Sequence, residues 1–172
     1  MESNDRTVRQ QLLGLLVFIV LCVAVSGLGS LLSMSAMDGW YQDLEQPDWN
    51  PPDWVFGPVW SVLYVAIAVS GWLSWRAREW SVTRAPMTIW GIQLALNLLW
   101  TALFFGLEQP GTAVIEIGIM WLAIAATIVS FWPISRLAAV MLVPYLGWVS
   151  YAAALNYSIW TLNQVQLNVP KG

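Results

Sequence analysis

Charged residues divide the chain into five long, uncharged and mostly apolar stretches, and this feature constrains the fold more than any other. A charge at the middle of a bilayer costs about 2.5–3.5 kcal/mol, so charged side chains are kept at the ends of spanning helices. About 20 residues rising 1.5 Å each cross a hydrocarbon core of roughly 30 Å, so each stretch predicts one transmembrane helix. The uncharged stretches cover residues 10–37, 54–75, 85–107, 117–135 and 137–170.

The sequence therefore predicts an all-α fold, an integral, multi-pass membrane bundle of five transmembrane helices in a single domain over residues 1–172. Only 10% of the residues are charged and 58% are apolar, whereas soluble domains carry about a quarter charged residues. The connection over residues 38–53 is the longest. We expect helices at about 11–33, 54–75, 86–106, 111–132 and 137–161.

Basic residues collect on one side of the predicted bundle. Five crossings place the N-terminus and the loops around 76–85 and 133–136 on one side, which holds Arg6, Arg9, Arg76, Arg78, Arg84 and Arg136. The other side holds Lys171 and an acidic first loop containing Asp38, Asp43, Glu45, Asp48 and Asp53. The positive-inside rule then predicts a cytoplasmic N-terminus in a cell membrane.

Several kinds of chemistry are excluded by composition. The chain has no histidine, and its one cysteine, Cys22, lies inside the first apolar stretch. An intrachain disulfide, a zinc site and a histidine ligand to haem are therefore excluded, and we expect no metal and no obligatory cofactor. A net charge of −3 without any run of basic residues also argues against nucleic acid as a partner.

The first loop, residues 38–53, is rich in proline and aromatic residues. Pro47, Pro51 and Pro52 fix φ and bias the residues before them to extended conformations, which predicts a stiff loop. A stiff aromatic loop beside a helix bundle is typical of a lid over a site. An interfacial anchor is the alternative, because Trp and Tyr gather at the headgroup level of membrane proteins.

Several of the thirteen tryptophans lie within predicted helices, away from an aromatic belt at the helix ends, and the informative ones are Trp60, Trp100 and Trp148. Trp60 shares a helix face with Tyr64, four residues on. Trp100 belongs to a stripe with Gln93, Asn97, Thr101 and Phe104, and Trp148 to a series with Pro144, Ala152 and Leu155.

Burial against neighbouring helices would explain such aromatic faces equally well. The amides Gln93, Asn97 and Asn156 favour a cavity, because an amide at mid-span must face the bundle interior. An aromatic cavity with a few amides suits a flat, largely apolar ligand.

Two further features have open interpretations. Glu116, near the start of the fourth predicted helix, is either a charge at the membrane interface or a ligand or proton site within the membrane. Small residues four apart, such as Ser26 and Ser30, permit close helix packing, either within the chain or between the subunits of a dimer.

Three segments resemble the tryptophan-rich sensory protein and translocator protein family (TspO/MBR), also called the peripheral benzodiazepine receptor family. The segment Trp49-Asn50-Pro51-Pro52-Asp53-Trp54-Val55-Phe56-Gly57-Pro58-Val59-Trp60 continues to Tyr64 and resembles the family signature. Leu96-Asn97-Leu98-Leu99-Trp100 with Phe104-Phe105 is similar to its third-helix motif, and Pro144-Tyr145-Leu146-Gly147-Trp148 through Asn156 to its fifth. The resemblance extends from about Trp40 to Trp160.

The resemblance implies a five-helix bundle, often a homodimer, with a pocket under the first loop. That pocket takes porphyrins such as protoporphyrin IX and haem-type tetrapyrroles, together with benzodiazepine-type ligands. The implied function is a membrane receptor or sensor in tetrapyrrole handling or the stress response. Carried over position by position, the ligand-binding residues are Tyr41, Pro51, Trp60, Asn97, Trp100, Trp148 and Ala152.

Two other functions remain open from the resemblance. One is light-dependent degradation of porphyrin, for which Trp60 and Trp148 are the candidate catalytic residues. The other is transport of tetrapyrroles or sterols across the lipid bilayer. Animal members carry a sterol motif ending in Lys or Arg, whereas here Leu155 and Tyr157 are followed by no basic residue in reach. We therefore expect a microbial, tetrapyrrole-directed protein.

Overall fold

The structure, a computed structural model, is an all-helical bundle described for residues 6–37 and 39–164, without the side chain of Ser35. Asp38 and Lys171, two of the charges used above to predict the orientation, lie outside these residues. The helices are α1 Val8–Met37, α2 Phe56–Ala77, α3 Trp80–Thr101, α4 Pro110–Phe131, α5 Arg136–Met141 and α6 Val143–Leu162. Within the described chain, five helical segments are long and apolar enough to cross a membrane, with α5 and α6 together forming the fifth. The predicted fold class is confirmed.

The helices extend further than the charge pattern predicted. α1 begins at Val8 and ends at Met37, and α3 begins at Trp80 although we expected residue 86. Charges mark the limits of the hydrocarbon core, whereas a helix continues into the headgroup layer, where charged side chains are solvated. Pro86 therefore lies inside α3, and the helix runs through it.

Two short irregular segments shape the bundle ends. A 3₁₀ turn over Asp53–Val55 leads into α2, and a π-helical turn over Ala102–Gly106 ends the third span. The fifth span is interrupted at Leu142, and Pro144 stands in the first turn of α6. Proline is well tolerated there because the first amide groups of a helix have no partner within it.

The bundle closes into a ring in which α1 packs on α2 and α3, α4 packs on α3 and α6, and α2 packs on α5. Its outside is covered by exposed aliphatic side chains, including Leu31 and Val129 at more than 70% exposure. Such a surface suits lipid. At one close crossing, a methyl group on Gly71 would lie 2.8 Å from the indole of Trp90 and 2.9 Å from the ring of Phe18, so only glycine fits there.

The first loop is tied to the end of α6. The side chain of Asn163 accepts a hydrogen bond from the Glu45 backbone N–H at 2.8 Å and donates one to the Glu45 carbonyl at 2.9 Å. The Tyr151 hydroxyl donates to the Trp49 carbonyl at 2.8 Å. These bonds, added to the prolines, hold the loop across one end of the bundle.

Candidate ligand-binding site

A cavity of about 340 Å³ lies beneath the first loop, between α1, α2, α3 and α6. Small-molecule sites usually have volumes of about 300–1,000 Å³. One side of the cavity is aromatic, formed by Tyr41, Phe56, Trp60, Tyr64, Trp100, Phe105 and Trp148. The opposite side is formed by α1, whose lining residues are small or flexible: Ser26, Gly29, Ser30, Ser33 and Met37. The cavity is therefore a slot with aromatic side chains on one side and mostly serine side chains on the other.

The structure brings together most of the residues that the resemblance assigned to a pocket. Those that line the cavity are Tyr41, Trp60, Asn97, Trp100, Trp148 and Ala152. Pro51 is not among the lining residues, because the loop reaches the cavity through Tyr41 and Asp53 instead. That the six residues contact a ligand stays a prediction.

Asn97 has a structural role that the sequence did not show. Its Oδ1 accepts a hydrogen bond from the Tyr64 hydroxyl at 2.5 Å, and its Nδ2 donates to the Tyr145 hydroxyl at 3.1 Å. The Tyr145 hydroxyl in turn lies 3.8 Å from the Met120 sulfur. Asn97 therefore connects α2, α3 and α6, and its second amide N–H and the second lone pair of its Oδ1 are left for a ligand.

Trp100 offers its ring face to the cavity. Its indole N–H donates to the Oδ1 of Asn156 at 3.1 Å, and the Nδ2 of Asn156 donates to the Pro110 carbonyl at 2.9 Å. The Trp100 ring stacks on Phe104 with centroids 5.5 Å apart and an interplanar angle of 25°. Because the indole N–H already donates to Asn156 and the ring is stacked on Phe104, Trp100 contributes an aromatic surface of fixed orientation to the cavity.

Trp148 differs from Trp100 in its hydrogen bonding. Its ring stacks on Tyr151 at 5.6 Å and meets the edge of Phe56 at 5.9 Å. Its indole N–H is buried and has no hydrogen-bond partner within residues 6–37 and 39–164. A buried donor without a partner is costly, so an acceptor group that reached the Trp148 N–H would remove that cost.

Tyr41 closes the loop end of the cavity. It is only 2% exposed, and its hydroxyl lies 3.4 Å from the Oδ1 of Asn50. Burial raises the pKa of the Tyr41 phenol above its ordinary value, and the negative charge of Asp53 raises it further, against the lowering effect of the Asn50 bond. Tyr41 therefore enters the cavity as a neutral phenol.

The α1 wall is the part of the site that we did not predict. Ser26 and Ser30 were interpreted as contacts for helix packing, yet both line the cavity together with Ser33 and Met37. These positions are spaced by four, three and four residues, which places them on one helical face. A polar stripe along an otherwise apolar helix was the signal available in the sequence.

A second cavity of about 410 Å³ lies between α1 and α2 and shares Ser26, Ser61 and Tyr64 with the first. Its lining includes Val23 and Val65, whose side chains are 63% and 64% exposed on the apolar outside. The slot therefore continues toward the face that suits lipid.

Besides Trp148, three buried polar side chains have no hydrogen-bond partner among residues 6–37 and 39–164: Ser74, Gln93 and Glu116. Glu116 is 5% exposed and points into the bundle, so its interpretation as a charge at the membrane surface does not fit its position. Neither its carboxyl oxygens nor the amide of Gln93, which is fully buried, has a hydrogen-bond partner in the part of the chain that the structure describes. Each carries a cost in stability.

Comparison with known proteins places this arrangement in one family. The sequence model of the TspO/MBR family matches residues 18–161. The chain is 39% identical over 158 residues to tryptophan-rich protein TspO of Chlorobaculum tepidum, covering 90% of this chain and 98% of that protein. It is 38% identical over 148 residues to protein CrtK of Rhodobacter capsulatus, covering 86% and 91%. Human translocator protein is 40% identical over 126 residues, covering 72% and 75%. The chain therefore belongs to the TspO/MBR family of integral membrane proteins.

Proposed function

We propose that this protein is a membrane receptor that binds porphyrins and benzodiazepine-type compounds in the aromatic cavity, with a role in tetrapyrrole handling or the stress response. The main support for this proposal is that aromatic side chains from the first loop, α2, α3 and α6 line one cavity. The indole N–H of Trp148, one of these side chains, has no hydrogen-bond partner among the described residues. Aromatic rings favour offset-stacked or edge-on contacts with another ring at centroid distances of about 4.5–7 Å. A flat ligand satisfies this preference along its whole length.

The relatives' names support a receptor or carrier more than a scaffold, since they include tryptophan-rich sensory protein and translocator protein. A porphyrin is larger than most drug-sized ligands, and the adjoining space between α1 and α2 gives the ring system room to extend. We place the protein in a microbial cell membrane as a homodimer with a cytoplasmic N-terminus. The described basic side chains, which gather at the opposite end from the cavity, support that orientation.

Tryptophan fluorescence tests the proposal. Protoporphyrin IX added to the protein in a non-ionic detergent should quench the emission saturably, because bound porphyrin lies within a few ångströms of several indoles. Trp60→Phe with Trp148→Phe should weaken binding, whereas Trp80→Phe, at a side chain 57% exposed on the bundle surface, should not. Unchanged saturable affinity in the double variant would remove the proposed pocket.

Light-dependent oxidation of bound porphyrin by oxygen is the second candidate. The ring of Trp60 lies 5.6 Å from Tyr64 and 6.3 Å from Tyr145, so oxidisable rings continue from the cavity wall into the bundle. Illuminated protein should then convert porphyrin to a distinct product faster than the Trp60→Phe, Trp148→Phe variant does. Equal rates would leave binding without catalysis.

A further inference from the structure

We propose that Asp53 sets a charge preference in this cavity, so that among flat ligands of equal shape, porphyrins included, the site binds those without carboxylates more tightly than those that carry them. The inference rests on the proposed function and specifies the ligand class of the same site. It concerns selectivity among ligands of equal shape, which the aromatic walls alone would not distinguish.

Asp53 is positioned at the cavity by the local fold. It begins the 3₁₀ turn that leads into α2, and its carboxylate accepts a hydrogen bond from the Nε2 of Gln42 at 2.7 Å. The other residues that line the cavity within the described chain are aromatic, aliphatic, hydroxyl-bearing or amide side chains and glycine. Asp53 is therefore the one acidic or basic side chain on the wall, and it is fixed by a neighbour on the same loop.

No described basic residue offsets this charge from the same end of the bundle. The guanidinium of Arg6 lies 3.6 Å from the ring centre of Trp75, at the far end of α2, and Arg76 lies over Trp72 at 4.4 Å. The remaining arginines of residues 6–37 and 39–164 are on or beside the same helix ends: Arg9, Arg78, Arg84 and Arg136. The cavity end instead carries the acidic residues Asp43, Glu45, Asp48, Asp53 and Glu108.

The charge of Asp53 acts at the loop end of the cavity, where Tyr41 lies. It raises the pKa of the Tyr41 phenol, which means that a second negative charge at the position of that buried hydroxyl is opposed. A ligand carboxylate in the same region would meet the same field. A carboxylate could avoid it only by remaining in water, which would limit how deeply the rest of the ligand enters.

A comparison of protoporphyrin IX with its dimethyl ester separates the effect of ligand charge on binding from the effect of ligand shape. The two share one ring system, and the free acid carries two propionates that are ionised at neutral pH. Exposed charge pairs contribute about 0.2–1 kcal/mol, so removing the Asp53 charge should strengthen binding of the free acid roughly two- to fivefold relative to the ester. Comparing the ratio of the two affinities between variants cancels differences in how the ligands partition into detergent.

The experiment measures dissociation constants of both porphyrins by tryptophan quenching for the intact protein, Asp53→Asn and Asp48→Asn in a non-ionic detergent. Asp48 is an exposed loop carboxylate outside the cavity lining, so it controls for the general acidity of the loop. We expect Asp53→Asn to shift the ratio toward the free acid by two- to fivefold and Asp48→Asn to shift it by less. Raising the salt concentration should shift the ratio in the intact protein and not in Asp53→Asn, because salt screens exposed charges.

An unchanged ratio in Asp53→Asn, with saturable binding of both porphyrins, would overturn the charge preference and leave the proposed function standing. An equal shift in both variants would also overturn it, since the loop as a whole would then be responsible. Failure of both porphyrins to quench saturably in the intact protein would refute the proposed function, and the inference with it. The salt series needs no substitution: a ratio that does not change with salt in the intact protein would overturn the charge preference even if Asp53→Asn folds poorly.

Discussion

Replacing Asn97 with leucine removes two hydrogen bonds that join α2, α3 and α6 inside the bundle. The amide accepts from Tyr64 at 2.5 Å and donates to Tyr145 at 3.1 Å. Interhelical hydrogen bonds in a membrane bundle contribute about 0.6 kcal/mol on average and at most about 1.7 kcal/mol. Two such bonds, together with the phenols left without this partner, predict a loss of about 1–3 kcal/mol in the free energy of unfolding.

Gln93 supplies a matched control one helical turn away. It is a buried amide on the same helix, and neither of its polar side-chain atoms has a partner in the described chain. Gln93→Met removes an unsatisfied polar group and keeps the shape, so it should be neutral or stabilising. Two buried amides on one helix are thus predicted to respond differently to an apolar replacement: the change at Asn97 destabilises the bundle and the change at Gln93 does not.

The assay is unfolding in mixed micelles with rising mole fraction of sodium dodecyl sulfate, followed by the far-ultraviolet circular dichroism of the helices. The slopes must agree between variants before the free energies are compared. A double-mutant cycle of Asn97→Leu with Tyr64→Phe should return a coupling of about 0.6–1.7 kcal/mol. If Gln93→Met destabilises the protein as much as Asn97→Leu does, the network does not carry the stability assigned to it.

Three further predictions use the same preparations. Gly71→Ala should destabilise the bundle by about 1–3 kcal/mol through overpacking. At Gly118 an added methyl group meets nothing within 4 Å, so Gly118→Ala should stabilise the bundle by about 0.5–1 kcal/mol. Similar effects at both glycines would refute the close crossing at Gly71. Glu116→Met should raise the free energy of unfolding by about 1–3 kcal/mol, because the carboxyl oxygens are buried without hydrogen-bond partners. A lower free energy of unfolding would instead show that the carboxyl group has an important partner. Tyr41 should ionise above its ordinary pKa of 10.0 in a 295 nm absorbance titration compared with Tyr41→Phe. Since the unfolded chain then releases this proton first, its contribution to stability should fall as the pH rises above about 10, and ionisation at or below pH 10 would contradict its burial.

The five spans could be predicted because charge and bilayer thickness act on long stretches and need no tertiary information. Helix ends could not, since Val8 and Trp80 lie outside the uncharged stretches, in flanking segments where charged and apolar residues are both tolerated. The aromatic wall was predictable in part, because helical spacing places Trp60 beside Tyr64 and Trp148 above Ala152 on single faces.

The other features of the site could not be predicted from the sequence, because they depend on contacts with residues of other helices. Gln93 and Asn97 give the same signal in the sequence, and only the positions of Tyr64 and Tyr145 make one amide a junction and leave the other unpartnered. The serine stripe of α1 fits helix packing as well as a cavity wall, and only the structure shows that it lines the cavity. Pro51 is the opposite case: it belongs to the family motif and was expected in the pocket, yet it lies outside the cavity lining.

Ala152 gives the most direct test of the claim that this cavity binds a flat ligand. It lines the slot and is 7% exposed, so Ala152→Leu places three extra carbons in the space a ligand would occupy. Ala154→Leu, on the exposed side of the same helix, adds the same bulk toward lipid. Saturable quenching by protoporphyrin IX dimethyl ester should be weakened at least about tenfold by Ala152→Leu, equivalent to about 1.4 kcal/mol, and left unchanged by Ala154→Leu. Equal affinity in both variants, with both folded, would contradict ligand binding in this cavity.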